Sequence, residues 1–395
     1  MHFGTRLLLS CGFLLAALAN ALASEVPPDF RFRAETLATG MVQPMELELA
    51  PDGRIFFNEL NGKLRVWKPG AGIVDAGKIP VFNAMENGFL GFALDPAFAR
   101  TGWIYLYYSP TNHTGQRLSR FLMRGDTLDV ASEKIVLQFP EQRKDCCHHA
   151  GSVEFAPDGN LLISTGDNTH PGGEADGYAP IDERPNREEY DAQDGPSNTD
   201  DLRGKILRIR PAADGTYTIP EGNLFPRDGS QGRPEIYVMG CRNPWRMSVD
   251  EKTGIVYWGE VGPDAGGDGP HGPRGYDEIN QAKRPGNFGW PFFVGSNFAY
   301  ARYDFATKQI GPPYDPARPV AEGRSNTGAK VLPPAQPALI FWPYGKSKDS
   351  PCSVKADAPR APDLYFTSSR NSAIPAASPR RSTAACFSTI GNGPS

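Results

Sequence analysis

The sequence lacks the features that a nucleic-acid-binding or multi-spanning membrane protein needs. Its 41 basic and 45 acidic residues give a formal net charge of −4, with no long run of one sign. This balance excludes the cationic surface that nucleic acids and anionic lipids require. Hydrophobic residues make up 39% of the 395 residues, and the mean hydropathy is −0.43. These values exclude a multi-spanning membrane protein and a largely disordered chain.

The apolar run near the start is too short to cross a bilayer. Residues 7–19 are mostly apolar, Arg6 precedes them, and Ala21 and Ala23 form a small-x-small pattern. A membrane-spanning helix needs about 20 apolar residues. The pattern therefore predicts a cleaved signal peptide over residues 1–23 and a periplasmic or secreted protein without stable membrane insertion. The alternative, lipid attachment at Cys11, is disfavoured because this cysteine lies too early in the apolar run.

Cysteine is scarce, with 6 residues in the chain. Removal of Cys11 with the signal peptide leaves an odd number, which excludes a complete disulfide framework. The adjacent residues Cys146 and Cys147 can bond to each other or reach Cys241, and the sequence leaves both pairings open. No Cys-x-x-Cys or His-x-x-x-His spacing is present, so no zinc site is expected.

Turn residues are abundant, with 43 glycines and 38 prolines. Between them a pattern of strand, Asp-centred turn and strand recurs in residues 45–67, 92–108, 153–164 and 247–258. No convincing amphipathic helix separates these copies. The repetition predicts an all-β β-propeller whose blades carry insertions. A β-sandwich is the alternative, but it holds its strands in about 100 residues, far fewer than this chain offers.

The end of the chain differs from the rest in composition. In residues 349–395, Ser, Ala and Pro account for 23 of 47 residues, and the strand alternation disappears. This composition predicts a disordered tail. The alternative hypothesis is a frameshift near Lys348, which would leave the propeller over residues 24–348 incomplete at its C-terminal side. Resequencing the gene across Lys348 distinguishes the two.

Three segments combine residues that can perform chemistry. His148 lies just before a predicted strand, and Asp167 lies at the far end of the same hairpin, where its carboxylate can orient the imidazole as a base. Arg242 and Asn243 share a turn next to a proline and can bind an oxyanion. A loop rich in Gly, Pro and Asp at residues 262–275 precedes acidic residues that suit a hard cation such as calcium. Taken alone, each of these could equally be an ordinary loop or surface feature.

The order and the amino-acid sequences of these segments resemble those of one known family. The matching motifs are NGFLGFALDP at 87–96, the segment 148–167, RNP at 242–244, DEIN at 277–280 and GNFGWP at 286–291. Over residues 44–345 the chain resembles the soluble glucose/sorbosone dehydrogenases. These are six-bladed β-propellers that use pyrroloquinoline quinone (PQQ) and calcium.

The resemblance implies a role for each matching residue. His148 would remove the sugar hydroxyl proton, with Asp167 orienting it, and Glu86 would face the sugar. Arg242 and Asn243 would contact the quinone oxygens. The implied reaction oxidises the C1 hydroxyl of an aldose to a lactone and passes the electrons to an external acceptor such as a cytochrome.

The resemblance also implies two calcium sites. The backbone carbonyls of Gly262 and Pro263 would hold the calcium that binds PQQ, whereas Glu278 and the carbonyl of Phe288 would hold a structural calcium. Two departures from the family pattern, Cys147 before the base and Val261 beside the cofactor, leave the preferred sugar and the cofactor affinity open.

Two other functions remain as alternatives, a calcium-dependent binding propeller without redox chemistry and a metal-dependent lactonase. A lactonase of that type needs several side-chain carboxylates converging on one metal. The pairing of His148 with Asp167, together with Arg242, favours the dehydrogenase.

Overall fold

The computed structural model describes residues 35–344, and all elements discussed lie in the compact unit that begins at Gly40. Within the described range the only helical segments are α1 (Phe98–Thr101) and two 3-10 turns, Gly173–Ala175 and Glu188–Tyr190. None of these is long or apolar enough to cross a membrane. The predicted all-β class is confirmed, while the predicted signal peptide and tail lie outside the described residues.

Four sheets of blade type follow one another along the chain. The first contains β1 (Pro44–Leu49), β2 (Ile55–Glu59), β3 (Lys63–Lys68) and β4 (Gly72–Lys78). The second contains β5 (Phe89–Leu94), β6 (Trp103–Tyr108), β7 (Gly115–Arg124) and β8 (Thr127–Pro140). The third contains β9 (Val153–Phe155), β10 (Leu161–Thr165), β11 (Lys205–Pro211), β12 (Tyr217–Thr218) and β13 (Ile236–Met239). The fourth contains β14 (Pro244–Val249), β15 (Val256–Glu260), β16 (Tyr276–Ala282) and β22 (Ile340–Pro343).

Short strands fill the segment between β16 and β22. They are β17 (Gly286–Asn287), β18 (Phe293–Val294), β19 (Phe298–Ala299), β20 (Ala301–Asp304) and β21 (Gln309–Pro313). β17 pairs in parallel with β13 of the third sheet, whereas β18–β19 and β20–β21 form separate two-stranded ribbons.

Each of the four predicted strand-turn-strand units opens one of the four sheets. The hairpins are β1–β2, β5–β6, β9–β10 and β14–β15. Two of their turns place a glycine after an aspartate, with φ of 85° at Gly53 and 81° at Gly159, a conformation that glycine adopts without strain. The arrangement is that of a propeller with four blades in residues 35–344, and the predicted count of six is not confirmed.

The first strands of the four sheets meet through polar side chains. Glu46 in β1 accepts hydrogen bonds from the hydroxyl of Ser152 at 2.8 Å and from the backbone N–H of Phe92 at 3.3 Å. Arg246 in β14 donates from Nη2 to the carbonyl of Met45 at 2.7 Å. The contacts of Ser152 and Met45 join residues 106 and 201 positions apart, and together with the Phe92 contact they fix the innermost strands relative to one another.

Leu47 and Leu49, two apolar residues on the same face of β1, are exposed. The exposed fractions of these side chains are 56% and 59%. Phe56 and Phe57 on β2 are buried, as large apolar side chains usually are. The outward face of β1 therefore carries apolar residues that no other described sheet covers.

Candidate active site

The predicted site residues lie at one edge of the sheets. Glu86, His148 and Arg242 each precede the first strand of a blade, namely β5, β9 and β14. Asp167 and Val261 follow the second strands β10 and β15. Because the first and second strands of a blade are antiparallel, the start of one and the end of the other share an edge. The fold therefore gathers these segments although up to 175 positions separate them in the sequence.

His148 and Asp167 form a buried hydrogen-bonded pair, as the sequence predicted. His148 Nδ1 lies 2.8 Å from Asp167 Oδ1, and the two side chains are 6% and 0% exposed. The backbone N–H of Thr169 donates to the same carboxylate at 2.9 Å. Since Nδ1 faces a carboxylate, it carries the ring proton, which leaves Nε2 as the proton-accepting nitrogen.

The electrostatics favour a neutral imidazole beside an ionised carboxylate. Burial, followed by the nearby Arg242 guanidinium, lowers the pKa of His148. Burial opposes the charge on Asp167, but His148 and Arg242 outweigh it and hold the pKa of this carboxyl below its usual range. The pair is therefore suited to accept a proton at Nε2.

Trp290 is hydrogen-bonded to this pair, and its contact with Asp167 was not predicted from the sequence. Its indole N–H donates to Asp167 Oδ2 at 2.8 Å, and its ring centre lies 5.8 Å from the Arg242 guanidinium carbon. The only sequence signal was its place in the GNFGWP motif, because 123 positions separate it from Asp167.

Glu260, which the sequence reading also missed, fixes the turn that carries Arg242 and Asn243. One Glu260 oxygen, Oε1, accepts the backbone N–H of Arg242 at 2.9 Å and that of Asn243 as well. The other oxygen accepts the indole N–H of Trp258 at 3.1 Å. The Arg242 side chain donates to the carbonyl of Val261 at 3.0 Å. The guanidinium is thus held by the Val261 carbonyl, and the side-chain oxygen of Asn243 accepts the backbone N–H of Ala150 at 2.9 Å.

Glu86 is brought beside His148. Its Oε2 accepts the backbone N–H of His148 at 2.9 Å. Both residues have left-handed backbone, with φ of 67° and 62°, a conformation that costs a non-glycine residue about 1 kcal/mol or more. The Glu86 carboxylate therefore helps to stabilise the left-handed backbone of His148.

One cavity of about 260 Å³ collects most of these groups. Its lining includes Glu86, Cys147, His148, Arg242, Asn243 and Val261. Asp167 lies behind His148 and does not line the cavity. Both positions that depart from the family pattern, Cys147 and Val261, are part of the wall.

The cysteine pairing that the sequence left open is resolved. Cys146 and Cys147 are bonded to each other, and Cys241 is a buried free cysteine. The disulfide immediately precedes His148 in the chain.

Glycines allow close backbone packing in the loop at residues 262–275. A Cβ on Gly275 would lie 1.5 Å from the carbonyl oxygen of Pro263, and a Cβ on Gly262 would lie 1.8 Å from that of Tyr276. The N–H of Gly262 donates to Asp277 Oδ1 at 2.9 Å. Only glycine at both positions permits these close approaches to the Pro263 and Tyr276 carbonyls. Oxygen ligands of this kind are those that calcium prefers.

The second predicted cation site lies in the fourth blade. Glu278 in β16 is the direct cross-strand partner of Glu260 in β15, and both side chains are buried. Burial raises the pKa of Glu260 to about 8 and that of Glu278 to about 7. Asn280 donates to Glu278 at 2.9 Å, while its own Oδ1 is buried without a hydrogen-bond partner. Two opposed buried carboxylates and an unsatisfied oxygen form a donor set that a cation would satisfy.

Phe288 belongs to the same region. Its ring centre lies 4.7 Å from that of Trp258, the residue whose indole binds Glu260. The Phe288 ring thus packs against the fourth blade beside Glu260, whose cross-strand partner is Glu278.

Comparison with known proteins gives a consistent set of relatives. A family model described as Glucose / Sorbosone dehydrogenase matches residues 41–317. The chain is 28% identical over 272 residues to aldose sugar dehydrogenase YliI of Escherichia coli, which covers 67% of this chain and 63% of that protein. It is 26% identical over 365 residues to quinoprotein glucose dehydrogenase B of Acinetobacter calcoaceticus, which covers 83% of this chain and 70% of that protein.

A solved structure shares the fold. The PQQ-bound form of aldose sugar dehydrogenase from Streptomyces coelicolor superposes with a TM-score of 0.51 at 25% identity, over 67% of this chain and 68% of that chain. The chain spans 63% of the length of the E. coli protein and 59% of the length of another curated relative that it matches.

Proposed function

This chain belongs to the glucose/sorbosone dehydrogenase family, and on that premise we propose that it is a PQQ- and calcium-dependent sugar dehydrogenase. The reaction oxidises the C1 hydroxyl of an aldose to the lactone. The observation that carries the proposal is the buried His148–Asp167 pair facing a cavity that Arg242 and Asn243 also line. The printed names of a quinoprotein and of a PQQ-bound relative support this choice of cofactor.

The side chains in the cavity fit an anionic quinone. Arg242 supplies a cation and Asn243 an amide, and Glu260 holds the backbone N–H groups of both residues. When bound, PQQ would accept the hydride from C1 of the sugar, and calcium would hold it and draw electron density from it. Arg242 would then stabilise negative charge on the quinone oxygen that it contacts. A donor already held in place does this effectively, because it need not reorganise during the reaction.

His148 removes the proton in this scheme. Asp167 keeps the ring proton on Nδ1, so Nε2 is available to accept the hydroxyl proton of C1. The lowered pKa of His148 keeps this nitrogen unprotonated at neutral pH. Glu86, which lines the same cavity, is suited to bind a sugar hydroxyl through the carboxylate oxygen that His148 does not use.

Two sets of oxygens would hold calcium. The carbonyls of Gly262 and Pro263 lie in a loop that only glycines allow to fold this way, and they would hold the ion next to the cofactor. Glu278 and the Phe288 carbonyl would hold the structural ion, in a region where the Asn280 oxygen has no partner.

We also propose export from the cytoplasm and electron transfer to an external acceptor. The Cys146–Cys147 disulfide supports an oxidising compartment. The proposed acceptor is an external electron carrier such as a cytochrome.

Reconstitution tests the proposal. The purified protein is incubated with PQQ and Ca²⁺, and reduction of an artificial electron acceptor is followed with a panel of aldoses. We expect sugar-dependent dye reduction that falls by about 10²- to 10⁴-fold in His148→Gln. His113→Gln is the matched control, because the His113 ring lies 3.1 Å from the Phe139 carbonyl and does not line the cavity.

Other outcomes point to the alternatives. PQQ binding without dye reduction would reject catalysis, and no PQQ binding at all would favour the calcium-dependent binding propeller. Lactone hydrolysis without PQQ would favour the hydrolase. Full activity in His148→Gln would reject the assigned base.

A further inference from the structure

A cluster of possible metal ligands lies beside the cavity but outside the predicted catalytic residues. It consists of Asp145, Cys146 and His170, whose ligand atoms all lie within 4.8 Å of one another. All three side chains are half-buried. The sequence showed no zinc-type spacing because the third member comes from a different loop, 24 positions after the cysteine.

The contacts within the cluster suit a bridging ion better than a direct bond. His170 Nε2 lies 3.8 Å from Asp145 Oδ1, which is too long for a hydrogen bond. Ligands that bind a tetrahedral zinc at about 2.0–2.1 Å lie roughly 3.3 Å apart. The ligand atoms, which lie within 4.8 Å of one another, would move closer together to hold such an ion.

Its surroundings hold two of the three ligands in place. Asp145 Oδ1 accepts the backbone N–H of Cys146 at 2.8 Å, and Oδ2 accepts the hydroxyl of Tyr190 at 3.3 Å. The Tyr190 ring also packs against the His170 ring, with centres 5.3 Å apart. Tyr190 thus positions both the carboxylate and the imidazole.

The third ligand is blocked. Cys146 is bonded to Cys147, and a metal ligand must be a thiolate rather than a disulfide sulfur. A dithiol reductant would cleave the bond, converting the two cysteines to thiols while the reductant becomes a disulfide. Binding of the metal would then release the Cys146 thiol proton to solvent. It would also shift the His170 ring proton from Nε2 to Nδ1, which breaks the bond that Nδ1 accepts from the Gly172 N–H at 2.9 Å.

We propose that Asp145, Cys146 and His170 form a binding site for a zinc-class divalent cation that the Cys146–Cys147 disulfide masks and that reduction opens. The N, O and S ligands are those that such cations accept, with a fourth position left to water or to the Cys147 thiolate. The proposal concerns metal binding alone and does not depend on the dehydrogenase function.

The site would nevertheless communicate with the cavity. Cys147 and Pro171 both line the cavity, and they are the chain neighbours of Cys146 and His170. Reduction and metal binding would therefore reshape the wall directly preceding His148.

Cobalt absorption tests the proposal on the full chain without PQQ. The protein is prepared oxidised, or reduced with a phosphine that is removed under anaerobic conditions, and each form is titrated with CoCl₂. We expect a thiolate-to-cobalt absorption band with one equivalent bound in the reduced form and none in the oxidised form. Equal spectra in the two forms would overturn the proposal.

Substitutions assign the ligands, since all other cysteines remain the same. Cys147→Ser cannot form the disulfide and leaves the Cys146 thiol available, so it should bind Co²⁺ without any reductant. Cys146→Ser should not bind even after reduction. His170→Gln should weaken binding by about tenfold or more, whereas the control His113→Gln should not.

The two cysteine variants are the decisive pair. If Cys146→Ser binds Co²⁺ as well as Cys147→Ser does, the bound metal belongs to other thiols and the proposal is wrong. The wild-type comparison of oxidised and reduced protein remains informative even if a variant fails to fold.

Discussion

The imidazole of His149 forms a buried ion pair with Glu141, directly behind the proposed base. His149 Nδ1 lies 2.7 Å from Glu141 Oε2, and the side chains are 0% and 1% exposed. On the other side of the ring, Nε2 lies 3.1 Å from the carbonyl of Met85. Burial opposes a charge on this ring, but Glu141 outweighs it and raises the pKa of His149. The pKa values of the two adjacent histidines are thus shifted in opposite directions, since the pKa of His148 is lowered.

We expect His149→Gln to lower the free energy of unfolding by about 3 kcal/mol near pH 6, because it leaves the buried Glu141 carboxylate without its cation. His113→Gln is the control, and urea denaturation is the measurement. The folded-state pKa of His149 is above the unfolded value of about 6.5. The stabilisation is therefore complete below that pH and is lost as the pH rises through the folded-state pKa. A stability difference between wild type and variant that does not shrink with rising pH would contradict the ion pair.

Asp167→Asn should abolish the base while preserving the fold. The Trp290 indole N–H donates to Oδ2, and the Thr169 N–H donates to Oδ1, the oxygen that also faces His148 Nδ1. Either orientation of the asparagine amide therefore leaves one of these donors without its oxygen, and the negative charge that stabilises a protonated His148 is lost. We expect kcat to fall by about 10³- to 10⁴-fold with little change in KM. Asp158→Asn in the β9–β10 turn is the control, and an unchanged kcat would reject the orienting role.

Glu278→Gln should remove a calcium-dependent part of the stability. A ligand at one hundred times its Kd stabilises a protein by about 2.7 kcal/mol, so the wild-type Tm should be higher with Ca²⁺ than with EDTA. The variant should lose much of this difference, whereas the exposed control Glu221→Gln should keep it. In EDTA the variant should be at least as stable as wild type, because it removes one of two opposed buried carboxylates. If Glu278→Gln lowers the Tm as much in EDTA as in Ca²⁺, Glu278 stabilises the fold without binding calcium.

Local patterns in the sequence were sufficient to predict part of the fold and of the site. The hairpins could be predicted because Asp-Gly turns such as the one at Gly53 follow short alternating strands. His148 and Asp167 could be paired because they flank a single hairpin. Glu260 and Trp290 could not, since their partners lie on other elements that only the folded chain brings near. The exposure of Leu47 depends on what packs against β1, which the pattern of one strand does not contain.

Lys205 anchors the long insertion that contributes to the cavity wall. Its ammonium group is fully buried at the start of β11 and donates to the carbonyls of Gly195, Pro196 and Arg203 at 2.7, 3.1 and 2.8 Å. All three acceptors belong to the insertion between β10 and β11, which also carries Pro171 of the cavity. Lys205→Met has similar length but no donor, and it would leave three carbonyls short of a partner at a cost of about 1–3 kcal/mol each. We expect a fall of at least about 3 kcal/mol in the free energy of unfolding by urea, against little change in the exposed control Lys252→Met. Because the insertion rather than the sheet loses its anchor, amide hydrogen exchange should increase first in residues 194–203, and uniform exchange across the third sheet would contradict this assignment.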